Sequence, residues 1–262
     1  LNIEKARLYR NTGDRFEDVA EAAGITQPAS PMGANFGDIN GDGYLDFYLG
    51  TGWPEYDELM PNKLYVGRGG TGFVDVTMAS GFGHLQKGHG IAFADLDQDG
   101  DQDVFEEMGG AVLGDAYFNA FFENPGFGTN WIAIKLVGTK TNRSAIGARI
   151  RVDIEEGGTI RTIYRYINSG GTFGGNPLRK NIGLGRAKTI NRLEIEWPVS
   201  GTKQQFDDVE VNQVISITEG EAAISLFRSP PLGRGGFFVT LPQSGIAEPS
   251  KCKTNLARSS KT

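Results

Sequence analysis

Two nine-residue stretches constrain this chain more than anything else in it. Asp38-Ile39-Asn40-Gly41-Asp42-Gly43-Tyr44-Leu45-Asp46 and Asp95-Leu96-Asp97-Gln98-Asp99-Gly100-Asp101-Gln102-Asp103 share the pattern D-x-[DN]-x-D-G-x-x-D. Three or more carboxylates within nine residues repel one another in any compact geometry. A cation among them removes that cost, and hard oxygen donors favour Ca²⁺. Side-chain oxygens at positions 1, 3, 5 and 9 converge with the carbonyl at position 7, and Gly at position 6 permits the sharp turn. The expected ligands are Asp38, Asn40, Asp42 and Asp46 with the Tyr44 carbonyl in loop 1. In loop 2 they are Asp95, Asp97, Asp99 and Asp103 with the Asp101 carbonyl.

An EF-hand does not fit. Position 12 is Leu49 in loop 1, and only loop 2 has a glutamate there, Glu106. The flanks, Phe47-Tyr48-Leu49, Val104-Phe105, Gly33-Ala34-Asn35-Phe36 and Gly90-Ile91-Ala92-Phe93, are short, aromatic and bounded by Gly. Such runs predict strands. The loops also belong to a longer repeat. Leu8-Tyr9-Arg10-Asn11, Phe16-Glu17-Asp18-Val19 and Ala23-Gly24-Ile25 return as Leu64-Tyr65-Val66-Gly67, Phe73-Val74-Asp75-Val76 and Ser80-Gly81-Phe82. The shift between copies stays nearly constant across the unit, which marks tandem structure. A third partial copy begins at Tyr117-Phe118-Asn119-Ala120-Phe121-Phe122-Glu123-Asn124.

These residues resemble the FG-GAP (VCBS-type) repeat, which implies blades of a β-propeller with calcium at inter-strand loops, chiefly as a structural element. Two units and a fragment cannot close a propeller of four to eight blades. With Leu1 falling inside a repeat, the expectation is an N-terminally truncated fragment, its earlier blades and any signal peptide lying before residue 1.

From Asn130 the pattern changes to period-two alternation. Ile150, Val152 and Ile154 fall on one face and Arg149, Arg151 and Asp153 on the other; Leu193, Ile195 and Trp197 alternate with Arg192, Glu194 and Glu196. This predicts antiparallel strands over a one-sided core that includes Trp131, Ile134, Ile150, Val152, Leu193, Ile195 and Trp197, in a β-sandwich or small barrel. Asn130-Trp131-Ile132, Asn142-Arg143-Ser144-Ala145-Ile146-Gly147-Ala148-Arg149, Gly183-Leu184-Gly185 and Ile195-Glu196-Trp197-Pro198-Val199-Ser200-Gly201 resemble the ASPIC/UnbV domain, which follows FG-GAP repeats in the cartilage acidic protein-like family. Members of that family commonly have His-Phe before the Gly-Leu-Gly; here Asn181-Ile182 stands there, so a role resting on that His is absent. The expected organisation is all-β: incomplete propeller repeats over 1–125, an ASPIC/UnbV domain over 126–221, and a tail over 222–262 without regular structure.

Residues 222–262 carry a net charge of +5, which leaves −11 on residues 1–221 of a chain totalling −6. An acidic body argues against nucleic acid and anionic membranes. A single Cys excludes an intrachain disulfide. Calcium loops point to a secreted, extracellular or periplasmic setting, where the ion is abundant. His84 and His89 lie five apart and read as turn and strand residues better than as a metal pair. The Ser169–Gly175 run lacks the following helix of a phosphate loop and reads as a hairpin connection. No catalytic motif occurs. The reading is a calcium-binding interaction protein whose partner is a protein or a glycan. Trp53, Tyr56 and Phe173 are candidates for stacking on sugars, and Asn142 and Arg143 for a ligand contact. A carbohydrate-active or other secreted enzyme, its active site in missing blades or on the propeller face, stays open as the alternative.

Overall fold

The computed structural model describes residues 5–52, 59–110, 117–168 and 170–227, so Trp53 and Tyr56 lie outside the described residues, as does the chain beyond Phe227. Every regular element described is a strand. In the repeat half, β1 (Tyr9–Asn11) and β2 (Phe16–Asp18) pair as a hairpin. A four-stranded antiparallel sheet follows in sequence order: β3 (Pro31–Gly37), β4 (Asp46–Thr51), β5 (Lys63–Gly67) and β6 (Phe73–Asp75). A second sheet contains β7 (Lys87–Ala94), β8 (Asp103–Gly109) and β9 (Ala120–Phe122).

Each acidic loop joins the first two strands of its sheet, and its last Asp opens the second strand. The sequence repeat straddles sheets. Leu64-Tyr65-Val66-Gly67 supplies the third strand of the first sheet, and the partial copy at 117–124 supplies the third strand of the second.

Strand β4 is buried along its whole length because its sheet has a core on each face. Tyr48 packs with Ile91, Phe93 and Val104 toward the second sheet, while Phe47 and Leu49 pack with Ala20, Ile25 and Tyr65 on the other side. Period two alone sends neighbouring residues to opposite faces. Glycines allow the sheets to approach closely: a Cβ on Gly50 would meet the Gly88 backbone at 2.7 Å, and one on Gly37 the Phe93 ring at 2.1 Å.

The second half is a sandwich. Its sheets run β13 (Lys180–Gly185), β10 (Asn130–Val137), β16 (Gln213–Thr218), β17 (Ser225–Leu226), and β12 (Thr159–Tyr166), β11 (Arg149–Glu156), β14 (Thr189–Glu196), β15 (Lys203–Glu210). One apolar cluster fills the space between them, including Ile134, Ile150, Val152, Leu193, Ile195 and Trp197. Each fully buried Ile or Leu there contributes roughly 1.5–3 kcal/mol relative to exposure.

Two expectations are corrected. The strands are not all antiparallel, since β10 pairs β16 in parallel, Ile132 opposite Gln213 through Val137 opposite Thr218. Trp131 is only partly buried and lies outside that cluster; its indole packs on Gly100 of loop 2, where a Cβ would come within 1.9 Å of the ring.

The glycine-rich connection after β12 is more than a turn. Thr172 bridges to Ala34 in β3, its N–H donating to the Ala34 carbonyl at 3.1 Å. A Cβ on Gly174 would fall 2.1 Å from the Ile91 carbonyl oxygen, so only Gly lets this segment lie against β7.

Candidate metal centre

Loop 1 is closed by its own hydrogen bonds. The Asn40 Oδ1 accepts from the Asp42 N–H at 3.1 Å, and Asp42 Oδ1 accepts from the Tyr44 N–H at 2.8 Å. The second Asp42 oxygen accepts from Asn40 Nδ2 at 3.1 Å. Asp46 accepts from the N–H groups of Ile39 and Gly67, each at 2.7 Å. Asp38, almost fully buried, accepts from the Gly43 N–H, from the Gly183 N–H at 3.1 Å and from Arg165 Nη2 at 3.3 Å. Both Asp38 and Asp46 have both carboxylate oxygens engaged within the protein.

Loop 2 repeats the frame with different neighbours. Asp103 holds the Leu96 N–H at 2.9 Å and the Asn124 N–H at 3.0 Å, as Asp46 holds its two. Asp97 and Asp99 accept from the N–H groups of Asp99 and Asp101, each at 3.2 Å. Oδ2 of Asp95 is held by Asn181 Nδ2 at 3.1 Å and Arg179 at 3.5 Å. Its Oδ1 is buried with no partner, and so is Oδ1 of Asp101. Ligand oxygens of Asp95, Asp97 and Asp99 lie within 4.8 Å of one another; among the described residues no other acidic or His/Cys group of three does so. The structure thus brings three of the expected loop 2 ligands together and leaves Asp103 tied to backbone. It does not gather Asp38, Asp42 and Asp46 in the same way.

Burial sets the protonation behaviour. It pushes Asp101 up to about 7, with Asp99, Asp103, Asp97 and Asp95 adding to the rise, and it raises Asp97 as well. In loop 1 burial raises Asp46 to about 7 and Asp38 to about 6, the latter held back by Arg165. Orphaned, desolvated carboxylate oxygens beside further carboxylates match the donor set of a hard divalent cation. Loop 2 passes that test. The Asp101 side chain, buried with one oxygen unpartnered, lies outside the group of three formed by Asp95, Asp97 and Asp99, and the pattern assigns position 7 only its carbonyl.

Both loops rest on the sandwich. The Gly185 N–H donates to the Gly41 carbonyl at 3.0 Å, and a Cβ on Gly183 would meet the Gly41 backbone at 2.3 Å. The Gly183-Leu184-Gly185 motif is thereby the seat of loop 1. A cavity of about 220 Å³ lies between the loops, walled by Trp131, Phe127 and Asn181.

Other candidates fall elsewhere. Glu106 sits in the repeat core, one oxygen accepting from the Tyr48 hydroxyl at 2.9 Å and the other without a partner; burial raises it to about 7. His89 stands edge-on to Phe173 at 6.2 Å, and neither it nor His84 joins a ligating group of three. Asn142 braces its own turn, donating to the Ile146 carbonyl and accepting from the Ile146 N–H. Arg143 beside it is exposed. No described helix is long and apolar enough to cross a membrane.

A model of the FG-GAP-like repeat matches residues 2–49, and one described as ASPIC and UnbV matches residues 138–224. No curated protein matches the chain.

Proposed function

We propose that this chain, which joins an FG-GAP-like repeat to an ASPIC/UnbV domain, is a calcium-binding interaction protein of the extracellular or periplasmic space. The observation that carries the reading is loop 2, where ligand oxygens of Asp95, Asp97 and Asp99 converge and Oδ1 of Asp95 is buried without a partner. Asp95, Asp97 and Asp99 would hold the ion, with Asp103 fixing the loop to backbone. The ion supplies charge neutralisation and rigidity. It stabilises a repeat whose two sheets share an apolar core, and it steadies the surface on which the sandwich rests. Calcium also supports the location, since sites of this class bind weakly, at about 10⁻⁴ to 10⁻³ M, and fill where the ion is plentiful. The partner is a protein or a glycan, for which exposed Arg143 offers a forked donor set beside a braced turn.

Calorimetric titration of calcium into the wild type and into Asp99→Ala tests this. Heat of binding in the first and none in the second is expected, with a rise in melting temperature that EGTA reverses. A melting temperature indifferent to calcium, EGTA and Asp99→Ala alike sinks the reading.

A further inference from the structure

The two acidic loops share a motif but meet different chemistry from the sandwich. Strand β12 presents Arg161, Ile163 and Arg165 on one face, since alternate residues share a face and this register sets Arg165 opposite Ile150, Ile163 opposite Val152 and Arg161 opposite Ile154. That face lies over loop 1. A Cβ on Gly43 would meet the Arg161 guanidinium and the Ile163 side chain, each at 2.7 Å. Arg161 also stacks on the Tyr44 ring, 4.8 Å from its centroid. The Arg165 side chain is only 11% exposed, and besides Asp38 it binds the Gly43 carbonyl at 3.1 Å. A buried guanidinium is tolerated when it is paired and hydrogen-bonded, and here its partners all belong to loop 1 or to its own strand. Asp38 pairs with it directly, and Asp46 and Asp42 act on its charge from farther away. Loop 2 sets five carboxylates against Arg179 alone, and there two buried oxygens stay unpartnered, whereas loop 1 has none.

We infer that the Arg165 guanidinium serves as the cation of loop 1. Loop 1 therefore closes without metal, and the chain takes one calcium, at loop 2. The inference rests on the calcium reading of loop 2 and assigns the two copies of the motif different roles: one binds an ion, the other is closed by a guanidinium from the sandwich.

Two measurements on the full chain test it. In calcium titrations the wild type binds one equivalent, Asp97→Asn with Asp99→Asn binds none, and Asp42→Asn still binds one. Two equivalents in the wild type, one of them lost on Asp42→Asn, overturn the inference and leave the calcium reading standing. The second measurement is melting in the Asp97→Asn, Asp99→Asn background. Adding Arg165→Gln lowers the melting temperature by several degrees in EGTA, and millimolar calcium restores much of that loss by taking the guanidinium's place. No loss, or a loss that calcium leaves untouched, overturns it. Should Arg165→Gln fail to fold, Arg165→Lys in the same background, which keeps the charge, should keep most of the melting temperature in EGTA and take up no calcium; uptake of calcium by that variant overturns the inference. A wild type that takes up no calcium at all rejects the reading of loop 2, and the melting comparison still decides on Arg165.

Discussion

Loop 1 and loop 2 have the same nine-residue pattern, the same position in a β-hairpin and the same final Asp clamping two backbone N–H groups. They differ in what covers them. Loop 1 meets backbone as well as the β12 side chains: Gly183 touches Gly41, the Gly183 N–H reaches Asp38, and Arg165 pairs with the same carboxylate. Loop 2 is pressed against side chains, the Trp131 indole on Gly100 and Asn181 with Arg179 on Asp95. A peptide wall satisfies carboxylates with N–H groups. A side-chain wall covers the loop but leaves carboxylate oxygens buried and unpartnered. The same pattern thus has its carboxylate oxygens satisfied in one place and leaves two of them buried and unpartnered in the other.

The largest effect should come from attacking the two walls. Gly183→Ala sets a Cβ against Gly41 backbone that cannot yield, and should cost about 3 kcal/mol or more. Gly100→Ala meets a side chain that can shift, but it has φ +106°, so it pays for strain and should cost about 1–3 kcal/mol. Chemical denaturation of both variants in EGTA checks the order, and a reversed order would break the contrast. Calcium comes next. At about 100 times the dissociation constant it should add about 2.7 kcal/mol. Asp99→Ala should abolish that gain and Asp42→Ala should not.

A pH comparison sharpens the metal-free state. Burial raises Glu106 to about 7 from its ordinary 4.5. The folded protein therefore holds this proton more tightly than the unfolded chain does. The resulting stability is fully present below about pH 4.5 and is lost as pH rises through about 7. In EGTA, melting temperature should fall between pH 5 and 8. Glu106→Gln should flatten part of that slope, the remainder coming from Asp38, Asp46 and Asp101. Glu219 runs the other way. Burial raises it, but Ser200 and the N–H groups of Thr141, Thr139 and Lys140 outweigh that and hold it down to about 2. Its contribution is present above the unfolded value and is lost as pH falls toward 2, so Glu219→Gln should flatten the acid limb only.

The smallest effect is Arg143→Ala. Asn142 already braces the turn, so stability should change by less than about 0.5 kcal/mol. A glycan array or partner pull-down that loses signal with melting unchanged would place recognition there. A large fall in melting temperature would make Arg143 structural.

Much of this architecture was legible along the chain because its causes are local. Period-two alternation set the faces of β11 and β14, and Gly at position 6 marked the turn of each acidic loop. The repeat marked Leu64-Tyr65-Val66-Gly67 as part of a tandem unit, although not that it is the third strand of the sheet that holds the preceding loop. The parallel pairing of β10 with β16 was invisible, since alternation reads the same in either direction. The place of Trp131 was hidden because an aromatic fits a core and a glycine floor equally well.

By itself the sequence determined which atoms each loop can offer: carboxylates at fixed positions, a glycine to bend the chain, and strands to hold both ends. Those properties belong to a few consecutive residues. Only the tertiary structure decided which carboxylates were satisfied. The deciding partners, Arg165 and Gly183 for Asp38 and Arg179 with Asn181 for Asp95, lie more than eighty residues away in another module. Burial and long-range hydrogen bonding, which no local pattern encodes, separate a loop whose buried carboxylates pair with a guanidinium and backbone from one that leaves carboxylate oxygens unpartnered.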